Sequence, residues 1–392
     1  VVNYPPRNAY TPRFTAAWLY DQSNRENYQE LAQLTFEWSQ VIEADTAESL
    51  IGSIDWDNAQ AAPDSTVMQF VQATAPMRER LLEFTATRAL TPALSPSMGY
   101  HRDFDAHYLE SAHQLELLAA AEELRHGRRA AATARFMRLL AGTVRLADTG
   151  TPAAVWAANT CLAVDARLLP ELFPLSGQGG NPRLAGQVLR HLAAFETAAR
   201  SSTVRVIEVQ SMNLDYFCRE LQKSVFNGGV YPFGNAAKQC AYYEKMYAGM
   251  MARSYRPYYE NPYTYWSKPE FTIADYCLRP WNVATEVDVN YDFGRGEQAV
   301  AIDLSRLMRI QIYLSLYRQA TGKLPDSLEA LWRHFAVAPL TSELTGTPFP
   351  YPGIVDGQCV LFTWAEKTLA SMARSYLFAD RQNESAERIV LQ

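Results

Sequence analysis

The chain is poor in the residues that mark several common chemistries. Its 392 residues include five cysteines, and Cys161, Cys218, Cys240, Cys277 and Cys359 stand singly, with no C-x-x-C pair and no C-x-x-C-H haem attachment. That spacing excludes a zinc ribbon and a c-type haem site. Each thiol lies among apolar neighbours, as in Ala157-Ala158-Asn159-Thr160-Cys161-Leu162, where cysteine acts as a small buried hydrophobe. In an oxidising compartment, disulfides among Cys218, Cys240 and Cys277 stay open. Basic residues are in the minority, 36 Lys and Arg against 42 Asp and Glu, for a formal net charge of −6. A mildly negative field argues against a partner whose many phosphates must be neutralised, so no nucleic acid is expected. No run reaches the roughly 18 apolar residues of a membrane-spanning helix. Even Ala301 to Tyr317 carries Asp303, Arg306 and Arg309.

Catalytic signatures are missing too. There is no G-x-S-x-G elbow, no S-x-x-K and no H-E-x-x-H, and the six histidines are His101, His107, His113, His126, His191 and His334. Gly177-Gln178-Gly179-Gly180-Asn181-Pro182 precedes a helix, but no strand leads into it and no Gly-Lys-Ser or Gly-Lys-Thr follows, so it reads as a connection rather than a phosphate cradle. Glu110-x-x-His113 and Glu123-x-x-His126 match the spacing of di-iron bundles, which need such pairs on different helices. Here both fall on one helix, about 20 Å apart at 1.5 Å per residue. The expectation is no metal, no cofactor and no assigned catalytic residue.

What the chain has is apolar residues, 48% of the total, and aromatics, 12%. Together they can build a large core. Apolar positions recur at helical spacing from Asp21 to Ala44 (Tyr28, Leu31, Leu34, Trp38, Ile42). Asp64 caps a second helix carrying Val67, Phe70, Val71, Leu81 and Leu82. A long pair runs from about Phe104 to Arg125 and from Ala130 to Ala147, hinged at His126-Gly127 and read as antiparallel neighbours. Thr151-Pro152 and Asn181-Pro182 open two more, with proline at the first helical position. A last long helix runs from Gly296 to Ala320, and Pro325-Asp326-Ser327-Leu328-Glu329 reads as a capping box. Phe349 to Val355 and Gln358 to Trp364 flank Asp356-Gly357, a two-residue hairpin signal. Arg125, Arg128, Arg129, Arg135, Arg138 and Arg145 form a basic run expected to pair with Glu110, Glu116, Glu122 and Glu123.

The fold expected is therefore mainly α: an irregular array of antiparallel packed helices with a small C-terminal α+β module containing a β-hairpin. Residues 1–13, with Pro5, Pro6 and Pro12, form an extended lead-in that fits either a stalk after a signal or membrane anchor or an ordinary frayed end. Residues 14–321 form the helical body and residues 322–392 the C-terminal module.

The most unusual stretch runs from Tyr231 to Tyr276, dense in tyrosine and broken by Pro257, Pro262 and Pro269. Tyr255, Tyr258, Tyr259, Tyr263, Tyr265 and Trp266 are its candidate interaction surface, because Tyr and Trp dominate interface hot spots. The same residues also suit an interhelical seam with hydroxyls at its rim. The acids Glu260, Asp275 and Glu286 offer an alternative, a glycan-binding or glycan-hydrolysing cleft with paired carboxylates beside stacking rings.

Tyr317 to Leu331, Thr345 to Tyr351 and Asp356 to Phe362 together resemble a C-terminal module of uncharacterised envelope proteins of planctomycete-type bacteria, and distantly the tail of type II secretion pseudopilins. In that family a membrane anchor and Pro-rich stalk precede a helical body. Where the family shows Asp-Pro, this chain has Glu343-Leu344, and no functional residue is carried over. The resemblance implies an exported protein, periplasmic or anchored by an N-terminal segment, with its body outside the cytoplasm. The function expected is a non-catalytic structural or interaction subunit of the cell envelope, accessory to a membrane-associated complex and contacting a protein partner there.

Overall fold

The computed structural model describes residues 22–43, 64–90, 104, 106–175, 181–226, 256–260, 291–351, 353–355, 358–362 and 388–391. It is mainly helical, with ten helices among these residues. They are α1 (Gln22–Ile42), α2 (Ser65–Ala73), α3 (Ala75–Thr87), α4 (Ala106–Arg125), α5 (Arg129–Ala147), α6 (Pro152–Ala166), α7 (Leu169–Leu172), α8 (Pro182–Phe226), α9 (Tyr291–Thr321) and α10 (Leu328–Phe335).

Capping chemistry sets four of the starts. The Asp64 carboxylate accepts from Thr66 N at 2.7 Å, Thr151 Oγ1 from Ala154 N at 3.2 Å, and Asn181 Oδ1 from Arg183 N at 3.0 Å. Two starts differ from the sequence expectation. The helix expected from Asp64 onwards is two helices, because Pro76 in the first turn of α3 has no N–H to continue the ladder and the chain turns at Thr74. Ser327 caps α10 by accepting from Ala330 N at 3.3 Å, but Glu329 sits one residue too early for a capping box and bonds back to its own backbone and to Ser327 instead.

α6 lies at the centre. Residues 157–166 are buried without exception, and Ala154, Ala157 and Ala158 allow neighbouring helices to approach closely. Around it one continuous core gathers Leu31 and Trp38 of α1, Leu81 and Leu82 of α3, Leu115 of α4, Phe136 and Leu140 of α5, Leu192 and Phe195 of α8, and Ile312 of α9. Each such side chain contributes about 1.5–3 kcal/mol on leaving water. α9 is apolar on two faces. Leu304, Met308 and Ile312 enter this main core, while Leu307, Ile310 and Leu314 join Leu175, Leu328, Leu331, Trp332 and Phe349 in a second.

That second core spans the Thr321–Lys323 step, so α10 and the chain up to Tyr351 pack directly on α9. A separately packed α+β module after residue 321 is thus not supported. The backbone of three short strands, β1 (Gly353–Val355), β2 (Gln358–Phe362) and β3 (Arg388–Leu391), pairs antiparallel in the order β1-β2-β3. No strand side chain belongs to the described residues.

Charge pairing ties the helices together inside the core. The Arg78 guanidinium of α3 donates to Glu116 of α4 at 2.9 Å, and Arg135 of α5 meets the other Glu116 oxygen at 2.5 Å and Glu79 at 2.9 Å. Of the basic run, Arg135 makes the expected interhelical pair with Glu116, Arg125 pairs with Glu122 within α4, Arg128 with Glu123 at the α4–α5 junction, and Arg138 reaches back to Glu83 of α3.

Candidate functional site

A cleft of about 530 Å³ opens between α8, α9 and the short 3₁₀ turn Tyr258–Glu260. Arg200 and Arg205 reach it from α8, Arg295 and Gln298 from α9, Arg256 and Tyr258 from the turn, and Glu343 from the loop after α10.

Glu343 is the fastening point. Its Oε1 accepts from Tyr258 N at 3.2 Å, its backbone oxygen accepts from Tyr259 N at 3.2 Å, and its Oε2 pairs with Arg200 and, at 3.2 Å, with Arg306 of α9. Asp303 holds this residue in turn. Its Oδ1 accepts from Glu343 N at 2.5 Å and its Oδ2 from Ser342 Oγ at 2.6 Å. Burial pushes the Asp303 carboxyl up to about 7, against those hydrogen bonds and the charge of Arg306. Glu196 of α8 completes the network, bonded to Arg306 and lying 3.4 Å from Arg309 and 3.5 Å from Arg200. Burial raises its carboxyl, but Arg306, Arg200 and Arg309 outweigh that and hold it below the usual range.

The turn is fixed from the other side by Arg295. This buried residue donates to the carbonyls of Arg256 at 2.9 Å and Pro257 at 3.3 Å, and its guanidinium stands 5.5 Å from the Tyr258 ring centre. Arg205 is braced by Asp148, 2.8 Å away. The hydroxyls of the wall are turned to the helix: Thr197 donates to Ala193 O and Ser201 to Ala198 O. Guanidinium groups keep their charge at any physiological pH, so the lining can bind and orient anions but offers no proton from these hydroxyls.

Of the predicted surface residues, Tyr258 is 6% exposed and packs inward, whereas Tyr259 is 40% exposed. Glu260 is exposed beside them. Tyr255, Tyr263, Tyr265, Trp266, Asp275 and Glu286 lie outside the described residues. His113 is fully buried, burial pulls its pKa down to about 4, and neither ring nitrogen makes a hydrogen bond of good geometry. Among the described residues no group of His, Cys, Asp and Glu is arranged to hold a metal ion. Cys161 is a buried thiol whose pKa burial raises. The side chains of the other four cysteines lie outside the described residues.

Sequence reasoning missed Arg200, Arg205, Arg256, Arg295 and Glu343 as one site. They span nearly 150 positions and share no motif; the one local hint is Glu196 four residues before Arg200.

Among the described residues, fold and cleft define a mainly helical protein with an arginine-lined cleft. Compared with known proteins, the chain matches no family model, no curated protein and no solved structure.

Proposed function

We propose that this protein is a non-catalytic structural or interaction subunit of the bacterial cell envelope, accessory to a membrane-associated complex, and that the aromatic segment from Tyr231 to Tyr276 is its contact surface. What supports this reading is one observation: Tyr259 is held outward by the hydrogen bond of its N–H to the Glu343 carbonyl, 40% exposed, beside a neighbouring tyrosine that is buried as its anchor. A large ring presented on a fixed backbone costs little entropy when a partner covers it. The envelope setting rests on the resemblance of residues 317–364 and of the Pro-rich lead-in. The same resemblance implies a hairpin near the C-terminal end, and the antiparallel register that sets Val355 opposite Gln358 is consistent with it.

The test is a mild-detergent pull-down from native membranes with the wild-type chain and Tyr259→Ala. Recovery of a defined partner with the wild type, and its loss with Tyr259→Ala, is the expected result. Recovery of the chain alone in the soluble fraction would sink the proposal.

A further inference from the structure

We propose that the cleft between α8, α9 and the Tyr258–Glu260 turn binds an oxyanion, a small molecule bearing phosphate or carboxylate groups held by guanidinium forks. Charge carries the argument. The wall presents four arginines against one glutamate, in a chain whose formal net charge is −6. A concave wall of one sign focuses its field into the opening and concentrates ions of the other sign.

The carboxylates nearby are already shared. Glu343 serves both Arg200 and Arg306, Glu196 serves Arg200, Arg306 and Arg309, Asp303 stands 3.9 Å from Arg306, and Asp148 serves Arg205, so each of these carboxylates is already engaged by at least one guanidinium. Arg256 is exposed at the mouth and makes no ion pair among the described residues. The polar side chains that could otherwise compete are committed: Thr197 and Ser201 donate to the helix, and Gln298 donates to Ser202 Oγ at 2.7 Å. What remains to meet a ligand is the Arg256 guanidinium, a planar, charged fork of N–H donors of the geometry that suits two-point contact with phosphate or carboxylate. The volume of about 530 Å³ fits a small metabolite rather than a polymer segment.

This inference stands apart from the partner reading, because its test needs only the purified chain. Inorganic phosphate and citrate are each titrated by calorimetry at low ionic strength into the wild type, Arg256→Gln, Arg256→Glu and Arg183→Gln. Arg183 is exposed near the start of α8 and does not line the cleft. The expected result is one-to-one binding of at least one anion. Arg256→Gln should weaken it about tenfold, the equivalent of about 1.4 kcal/mol. Arg256→Glu should abolish it, Arg183→Gln should leave it unchanged, and added salt should weaken it. Preference for phosphate or for citrate tells which oxyanion the site takes. Binding of neither anion at millimolar concentration overturns the proposal, and so does equal binding by the wild type and Arg256→Glu, whose fold is checked by circular dichroism.

Discussion

At the scale of single residues, the density of tyrosine between 231 and 276 announces a special segment but not which ring faces out. Tyr258 and Tyr259 are neighbours of identical chemistry, and only the backbone turn held by Glu343 and Arg295 sends one inward and one outward. A further constraint comes from the opposite wall. Gly346 has φ +70°, and a Cβ there would lie 2.7 Å from Cδ2 of Tyr259. Gly322 has φ +78° with nothing within 4 Å of the same added atom. Both Gly346→Ala and Gly322→Ala incur the left-handed backbone cost of about 1–2 kcal/mol, but only the first must also move the tyrosine. Urea unfolding of the two variants should therefore find Gly346→Ala the less stable by roughly 1 kcal/mol or more. Equal losses would mean that the ring yields freely and that Tyr259 is not held in place.

At the scale of elements, helix existence was readable from spacing and caps, since Asp64, Thr151-Pro152, Asn181-Pro182 and Ser327 all stand where helices start. The division at Thr74 was open to view in Pro76, but the apolar rhythm continues across it and masks the break. What spacing could not supply is the pairing between helices. Arg78 is buried at the α2–α3 turn, where it also donates to Val71 O at 2.8 Å and Thr74 Oγ1 at 3.1 Å. Its charge is balanced by Glu116 alone among its contacts, and Glu116 is itself buried between Arg78 and Arg135. Glu116→Ala leaves a guanidinium uncompensated in the core, so it should cost about 3–5 kcal/mol in chemical denaturation. Glu116→Gln, which keeps the acceptor, should cost clearly less. A loss below 1 kcal/mol for Glu116→Ala would show that Arg78 finds water instead, and that α3, α4 and α5 are joined by apolar contact only.

At the scale of the whole molecule, the cleft is a product of tertiary packing: α8, α9, the turn at 258 and the loop at 343 meet only once the core has formed. The same packing buries titratable groups and gives the chain a distinctive response to pH. Burial lowers His113 from 6.5 to about 4, so the folded state refuses a proton that the unfolded state takes. Stability from this group is present above 6.5 and is lost as pH falls towards 4. Asp165 and Asp303 act in the opposite sense. Burial raises Asp165 well above 3.8, against a hydrogen bond from Thr143 Oγ1 at 2.8 Å, and raises Asp303 from 3.8 to about 7. Their contribution is full below 3.8 and is lost as pH rises, for Asp303 through about 7. Asparagine copies the shape of a protonated aspartate and never ionises, so the double variant Asp165→Asn, Asp303→Asn should match the wild type near pH 4 and gain on it steadily as pH rises. The gain due to Asp303 levels off above about 7, and the His113 term cancels because both proteins carry it. Urea unfolding at about pH 4.5 and about pH 7.5 measures that difference directly. A constant offset between the two proteins would mean that both carboxyls ionise as they do in the unfolded chain, and that Asp303 grips the Glu343 loop as an ordinary carboxylate throughout.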